Sequence, residues 1–278
     1  MYKLIALDID GTLLNDDKVI TAKTKQVLIH AQKNGMRLAL ASGRPSAGLV
    51  NLAQQLQLDK HNGLLLSYNG GKVIEATTGK VLYEKSIPNQ LAVKLIRKLE
   101  RYDVVPFVDD EQNMYVTDAN GFQVQYETTS NNLLPYVVSS VADELERRAF
   151  SPVKVLIAAP PEYLQPRIAE LKEGFNDDLE FILSTPFYLE ATMNGINKAF
   201  SLRQSYETLG ICSDEIIAFG DAQNDYEMLK SVGLGIAMGN ACNELKAIAN
   251  DITLSNNEDG IAFALEKHIF YEEAIICG

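Results

Sequence analysis

Asp8-Ile9-Asp10-Gly11-Thr12 follows directly on the apolar run Leu4-Ile5-Ala6-Leu7. A buried strand that ends in two carboxylates, a glycine and a hydroxyl puts acids where no core can use them. Side chains alternate along an extended segment, so Asp8 and Asp10 are expected on one side of the strand tip, with Ile9 on the other. Two carboxylates that close repel each other and ask for a divalent cation, a shared proton, or both. Gly11 can take a backbone conformation closed to other residues and turn the chain sharply beneath an anion. An Asx-type turn, in which the aspartates only bond the backbone, uses the same residues. On this pentapeptide alone both readings stand.

Three more groups have matching placement. Ser42-Gly43-Arg44 follows a second apolar strand, Arg37–Ala41. Lys198 opens a helix expected over Asn197–Leu209, and Gly220-Asp221-Ala222-Gln223-Asn224-Asp225 follows the strand Glu215–Phe219. Asn69-Gly70 sits at a tight turn after the strand Leu64–Tyr68. Singly, each has an ordinary explanation as a turn, a helix cap or a solvated lysine. Jointly they point elsewhere. In an open parallel sheet with right-handed crossovers every strand C-terminus lies on one edge, where ligands bind.

The elements that must hold these residues follow from periodicity. The first and last thirds of the chain alternate strand and helix, which predicts an α/β fold: a doubly wound, Rossmann-like parallel sheet. The middle differs. An amphipathic helix with Leu91, Ala92, Leu95, Ile96 and Leu99 on one face leads into strands at Val104–Val108 and Met114–Thr117. A helix near Val141–Arg148, a strand Val153–Ala158, a helix Glu162–Gly174 and strands Leu179–Leu183 and Tyr188–Thr192 follow. This predicts an inserted α+β domain at 85–187 that interrupts a core formed by 1–84 and 188–278.

Composition narrows the function. With 25 basic and 37 acidic residues the formal charge is −12, and no basic run is present. Nucleic acid would be repelled, and an anionic substrate would need local neutralisation by a metal, a lysine and backbone N–H groups. No stretch approaches the roughly 18 apolar residues of a membrane span. Met1-Tyr2-Lys3 runs into a strand without a signal-peptide region, so a cytoplasmic protein is expected. Cys212, Cys242 and Cys277 form no CxxC pair, and His30, His61 and His268 are isolated, so neither a disulfide framework nor a zinc site is expected.

The ordered set resembles the haloacid dehalogenase-like phosphohydrolase superfamily, specifically the Cof-type branch with a large inserted cap. Asp8-Ile9-Asp10-Gly11-Thr12-Leu13-Leu14, Ser42-Gly43-Arg44, Lys198 and Gly220–Asp225 match its four motifs in order, and the resemblance covers nearly the whole chain. Two positions depart from the usual pattern: Ala199 stands where glycine commonly follows the lysine, and Gly71 where alanine commonly follows Asn-Gly. The resemblance implies a phosphatase of small phosphorylated metabolites, sugar phosphates foremost. Asp8 would be the nucleophile that becomes an aspartyl-phosphate, and Asp10 the acid and then the base. Mg²⁺ would be held by the Asp8 side chain, the Asp10 carbonyl and Asp221, with Asp225 in support. Lys198 and Ser42 would spread charge, with Gly43, Arg44, Asn69 and Asn224 on the substrate. Alternatives are a phosphomutase of the same superfamily or a non-catalytic phospho-acceptor domain, against which Asp10 argues. In this family the cap chooses the leaving group. Tyr115, Asp118 and Glu127 are its candidate lining residues, but neither the substrate nor the oligomeric state can be read from the chain.

Overall fold

The computed structural model describes residues 1–270; Cys277 lies outside them. In chain order the elements begin β1 (Leu4–Asp8), α1 (Ala22–Lys33), β2 (Arg37–Ala41), α2 (Ser46–Gln55), β3 (Leu64–Ser67), β4 (Lys72–Glu75) and β5 (Val81–Glu84). Next come α3 (Asn89–Leu99), β6 (Val105–Asp109), β7 (Asn113–Val116), α4 (Val124–Ser130), β8 (Leu134–Val137), α5 (Val141–Arg148) and β9 (Lys154–Ala158). The segment closes with α6 (Pro161–Leu164), α7 (Ile168–Lys172), β10 (Leu179–Thr185) and β11 (Tyr188–Met193). The last part holds α8 (Lys198–Thr208), β12 (Ile216–Gly220), α9 (Tyr226–Lys230), β13 (Leu234–Ala237), α10 (Asn243–Ile248), β14 (Asp251–Ile252) and α11 (Gly260–His268).

Two compact units result. Among the described residues the first comprises Met1–Gly43, Leu49–Tyr83 and 197–270. Its eight strands run β14-β13-β12-β1-β2-β3-β4-β5, parallel from β14 to β3 and antiparallel between β3 and β4. Strands covered by helices on both faces must be apolar on both faces. Accordingly β1 and β12 are buried at every position. From β1 the chain steps outward through β2 and β3, and from β12 in the opposite direction through β13 and β14. The two central strands therefore flank the topological switch point, the crevice where open α/β sheets bind ligands.

The second unit comprises Glu84–Ile196 together with Arg44–Gly48. Its six-stranded sheet runs β10-β11-β9-β6-β7-β8. The amphipathic α3 buries Ala92, Val93, Leu95, Ile96 and Leu99, and packs with α5 on one face of that sheet.

Several expectations are corrected. The insertion does not end at 187: β11 hydrogen-bonds to β10 and β9, so the second unit runs to Ile196. A strand belongs to the sheet that satisfies its backbone groups, wherever its flanks lie in sequence. The helix expected over Glu162–Gly174 is broken into α6, a 3₁₀ turn at Gln165–Arg167 and α7. Pro166 removes the N–H that a continuous helix needs there. Neither α4 nor β8 was anticipated. Pro135 argues against a central strand, and β8 is an edge strand, parallel to β7.

Candidate active site

The strand tips at the switch point bring the acids together. Asp8 is the last residue of β1 and only 6% exposed. Beyond it the chain turns at once: the Leu13 amide donates to the Asp8 carbonyl and the Leu14 amide to that of Ile9. Gly11 sits in this turn at φ +90°, and a Cβ there would lie 2.4 Å from Asp221 Oδ2. Only glycine admits the loop after β12 this close to the loop after β1. The Thr12 hydroxyl then donates to Asp221 Oδ1 at 2.9 Å.

Lys198 arrives from the other side. Asn197 caps α8 by accepting from the Phe200 amide, which places Lys198 at the first turn. Gly70, at φ +99°, lets the 68–71 turn contact this helix start, since a Cβ would fall 2.5 Å from the Asn197 carbonyl oxygen. Lys198 is fully buried, and its Nζ lies 2.5 Å from Asp8 Oδ1 and 2.7 Å from Asp225 Oδ1. Asp225 Oδ2 accepts from the backbone amides of Asp221 (3.1 Å) and Ala222 (3.2 Å). Both Asp225 oxygens are thus engaged, one by the ammonium and one by the loop it shapes.

Oxygens of Asp8, Asp221 and Asp225 lie within 4.8 Å of one another, and among the described residues this is the acidic cluster able to hold a metal ion. Its charge is unbalanced: three carboxylates share one ammonium. Burial, and then the charge of Asp225, push the Asp8 carboxyl well above the usual carboxylate range, against Lys198. Burial raises Asp221 as well, opposed chiefly by the Thr12 hydrogen bond. Burial works against the Lys198 charge, but Asp225 and Asp8 outweigh it and hold its pKa above the ordinary lysine value. Hard carboxylate oxygens with surplus negative charge are the donor set that a small divalent cation takes. The residues present fit such an ion.

The remaining expected residues are placed as follows. The Asp10 carboxylate stands outside the cluster, exposed, with Lys18 Nζ 3.1 Å from its Oδ1. Ser42 is buried at the end of β2; its amide donates to the Leu66 carbonyl, and its carbonyl accepts from the Asn69 amide at 2.8 Å. Gly43 lies against Asn69, whose Oδ1 accepts from Asn224 Nδ2 at 3.3 Å. Arg44 is half-buried and groups with the second unit rather than with these residues.

Thr12 was passed over as a site residue, and so was Asn240. Asn240 Nδ2 donates to the Gly11 carbonyl at 2.8 Å, and its Oδ1 accepts from the Asn256 amide. The signal was available: Asn240 follows β13 as Asp221 follows β12, at the same sheet edge.

A haloacid dehalogenase-like hydrolase family model matches residues 5–265. The chain belongs to that family. A crystal structure of a haloacid dehalogenase-like hydrolase from Bacteroides thetaiotaomicron superposes with a TM-score of 0.91 at 36% identity, covering 96% of this chain and 99% of that one. This hydrolase is also 30% identical to the 5-amino-6-(5-phospho-D-ribitylamino)uracil phosphatase YitU of Bacillus subtilis, over 95% of this chain and 97% of the relative. The subclass IIB sugar phosphatase BT4131 superposes with a TM-score of 0.78 at 25% identity, covering 95% of this chain and 98% of that one. Among the described residues no helix is long and apolar enough to cross a membrane.

Proposed function

We propose that this hydrolase is a Mg²⁺-dependent phosphatase of small phosphorylated metabolites, sugar phosphates foremost, working through an aspartyl-phosphate on Asp8. The observation that carries the reading is Asp8 itself: a buried carboxylate at the switch point, 2.5 Å from a buried lysine and beside Asp221. A salt bridge retained only for stability has little reason to hold two surplus carboxylates, Asp221 half-buried and Asp225 buried, next to it. The names of two relatives, a sugar phosphatase and a phosphatase of a ribityl phosphate, support the substrate class.

Phosphate monoester hydrolysis requires accelerations of up to about 10²¹-fold, far beyond the roughly 10²–10⁴ of one acid–base pair. Charge stabilisation must supply much of the rest. Bound by Asp8, Asp221 and the Asp10 carbonyl, Mg²⁺ would neutralise charge on the transferring phosphoryl group. Asp225 contributes by fixing the Asp221 and Ala222 amides and the Lys198 ammonium. An Asp8 oxygen attacks phosphorus, the bond to the ester oxygen breaks, and Asp10 gives its proton to the departing alkoxide. Asp10 then takes a proton from the water that attacks the phosphorus of the aspartyl-phosphate, releasing inorganic phosphate and restoring Asp8. The pair between Asp10 and Lys18 is solvent-exposed and correspondingly weak, so it does not lock Asp10 out of either step. Lys198, kept charged by its two carboxylates, and the Ser42 hydroxyl meet the remaining charge on the phosphoryl oxygens. The first unit is the catalytic core, and the second is the cap that selects the leaving group.

The test separates the two steps. Asp10→Asn should slow a sugar phosphate far more than p-nitrophenyl phosphate, whose leaving group needs little proton assistance. With the aryl ester it should release a burst of nitrophenol and then stall, leaving a hydroxylamine-labile phosphoryl group on the peptide containing Asp8. Equal slowing of both substrates, with no trapped phosphoenzyme, would refute the roles of Asp8 and Asp10.

A further inference from the structure

One turn in the first unit touches both loops that carry the acids. After β13 the chain reverses at 238–242, closed by the Ala241 amide on the Met238 carbonyl. The backbone of this turn holds the loop after β12. The Met238 amide donates to the Gly220 carbonyl and the Cys242 amide to the Asp221 carbonyl, each at 3.0 Å. Its Asn240 side chain holds the loop after β1, with Nδ2 donating to the Gly11 carbonyl at 2.8 Å. The turn is itself anchored. The Gly239 amide donates to the Leu254 carbonyl, Lys246 Nζ donates to the Gly239 carbonyl at 2.6 Å, and a Cβ on Gly239 would fall 2.7 Å from the Ser255 nitrogen. The Asn256 amide donates to Asn240 Oδ1 at 3.0 Å, and the buried Asn256 Nδ2 donates to the Leu14 carbonyl at 3.0 Å.

Asn240 is exposed, yet both ends of its amide go to backbone groups of two other segments. Those partners fix its orientation, because the Asn256 N–H can only donate and the Gly11 carbonyl can only accept. We propose that Asn240 is a positioning residue that sets the gap between the Asp8–Gly11 and Asp221 loops to the size of Mg²⁺, and so favours Mg²⁺ over Ca²⁺. This deepens, and rests on, the metal site of the reading above. The Thr12 hydroxyl joins the same two loops, but it does so through an oxygen of Asp221 itself. Asn240 and Cys242 join them through the Gly11 and Asp221 carbonyls, which leaves the carboxylate oxygens to the ion. The two cations ask different things of such a gap. Mg²⁺ demands near-ideal octahedral geometry at about 2.0–2.1 Å, whereas Ca²⁺ accepts flexible arrangements at about 2.3–2.6 Å. A loop free to move by about 0.3 Å, the difference between those distances, therefore costs the smaller ion more.

Binding of Mg²⁺ and of Ca²⁺ to the full-length protein should be titrated calorimetrically, without substrate, at a temperature where melts show every variant folded. Asn240→Ala should raise the Mg²⁺ dissociation constant about three- to tenfold, the range that one hydrogen bond carries. The Ca²⁺ constant should change little, so the preference for Mg²⁺ should fall at least about threefold. Asn240→Asp keeps the shape and the acceptor for the Asn256 amide but loses the donor to Gly11. Its added charge attracts both divalent ions alike, so the same fall in the ratio is expected whatever happens to the separate constants. A purely structural role would lower Tm and leave the ratio alone. An unchanged ratio in both variants, including equal weakening of both ions, overturns this inference alone. Wild-type protein that binds no Mg²⁺ overturns the metal site and this inference with it. If the ratios shift as expected but no phosphate is released from any ester, this inference stands and only the phosphatase reading falls.

Discussion

Replacing the buried nucleophile candidate should make the protein more stable. Asp8 gains attraction from Lys198 at 2.5 Å, worth about 7 kcal/mol at an effective dielectric of ~20. Asp221 and Asp225 lie within 4.8 Å, and each repels Asp8 by at least about 3.5 kcal/mol on the same scale. Attraction and repulsion thus roughly cancel, leaving the cost of burying the Asp8 charge uncompensated. This is the physical content of its raised pKa, with burial as the leading cause. Asp8→Asn keeps the shape and an oxygen that accepts from Lys198, while removing the surplus charge. In EDTA at pH 7.5 it should stabilise the chain by about 1–2 kcal/mol, the range typical of relieved active-site strain, raising Tm by about 2–6 °C, and phosphatase activity should be abolished. The sign depends on pH. A carboxyl whose folded pKa is raised costs no stability while it is protonated in both states, and costs progressively more as pH rises through the folded value. The advantage of Asp8→Asn should therefore fade as pH falls toward the ordinary carboxylate range. Asp225→Asn should act in the opposite direction, because both Asp225 oxygens already accept, one from Lys198 and one from the Asp221 and Ala222 amides, so the asparagine must set its N–H against a donor. Calorimetric melts of both variants in EDTA across pH decide the matter. A lower or unchanged Tm for Asp8→Asn at pH 7.5 would refute the charge balance drawn here.

Two further outcomes follow from the same geometry. The gain in Tm on adding Mg²⁺ should grow between pH 5 and 7.5, because protons compete for Asp8 and Asp221, both of which are held above the carboxylate range; a pH-independent gain would place the ion elsewhere. Gly11→Ala should cost about 2–3 kcal/mol from its left-handed backbone and weaken the Mg²⁺ dependence of activity at least about tenfold, since its Cβ displaces Asp221. Titrating activity against Mg²⁺ alongside thermal melts reads both effects, and an unchanged Mg²⁺ requirement would show that Asp221 is not a ligand.

Local chemistry in the chain determined a good deal. A short continuous apolar run such as Leu4–Leu7, ended by Asp-x-Asp-Gly, reads as a strand buried on both faces, and the acids after it fall outside the core. Repetition of that pattern at Asp8, Ser42 and Asp221 identified one sheet edge, because parallel strands joined by right-handed crossovers have no other place for their ends. What the sequence did not contain was which charge meets which. Taken alone, outside the family motif it matches, Lys198 is an ordinary helix-start residue; it becomes a buried cation only because β1 and β12 are neighbours despite more than two hundred residues between them. Only the resemblance distinguished Asp221, as a metal ligand, from Asp225, in support; nothing in the loop's own sequence did. The fold separated them by giving both Asp225 oxygens to Lys198 and the backbone, leaving Asp221 to Thr12. The same holds in the second unit. Lys154 and Glu190 are unremarkable at 36 residues apart, and only the antiparallel pairing of β9 with β11 puts them on one face of a sheet. Strand and helix are decided by neighbours along the chain, whereas burial, ion pairing and pKa depend on distances between segments, which the tertiary structure alone sets.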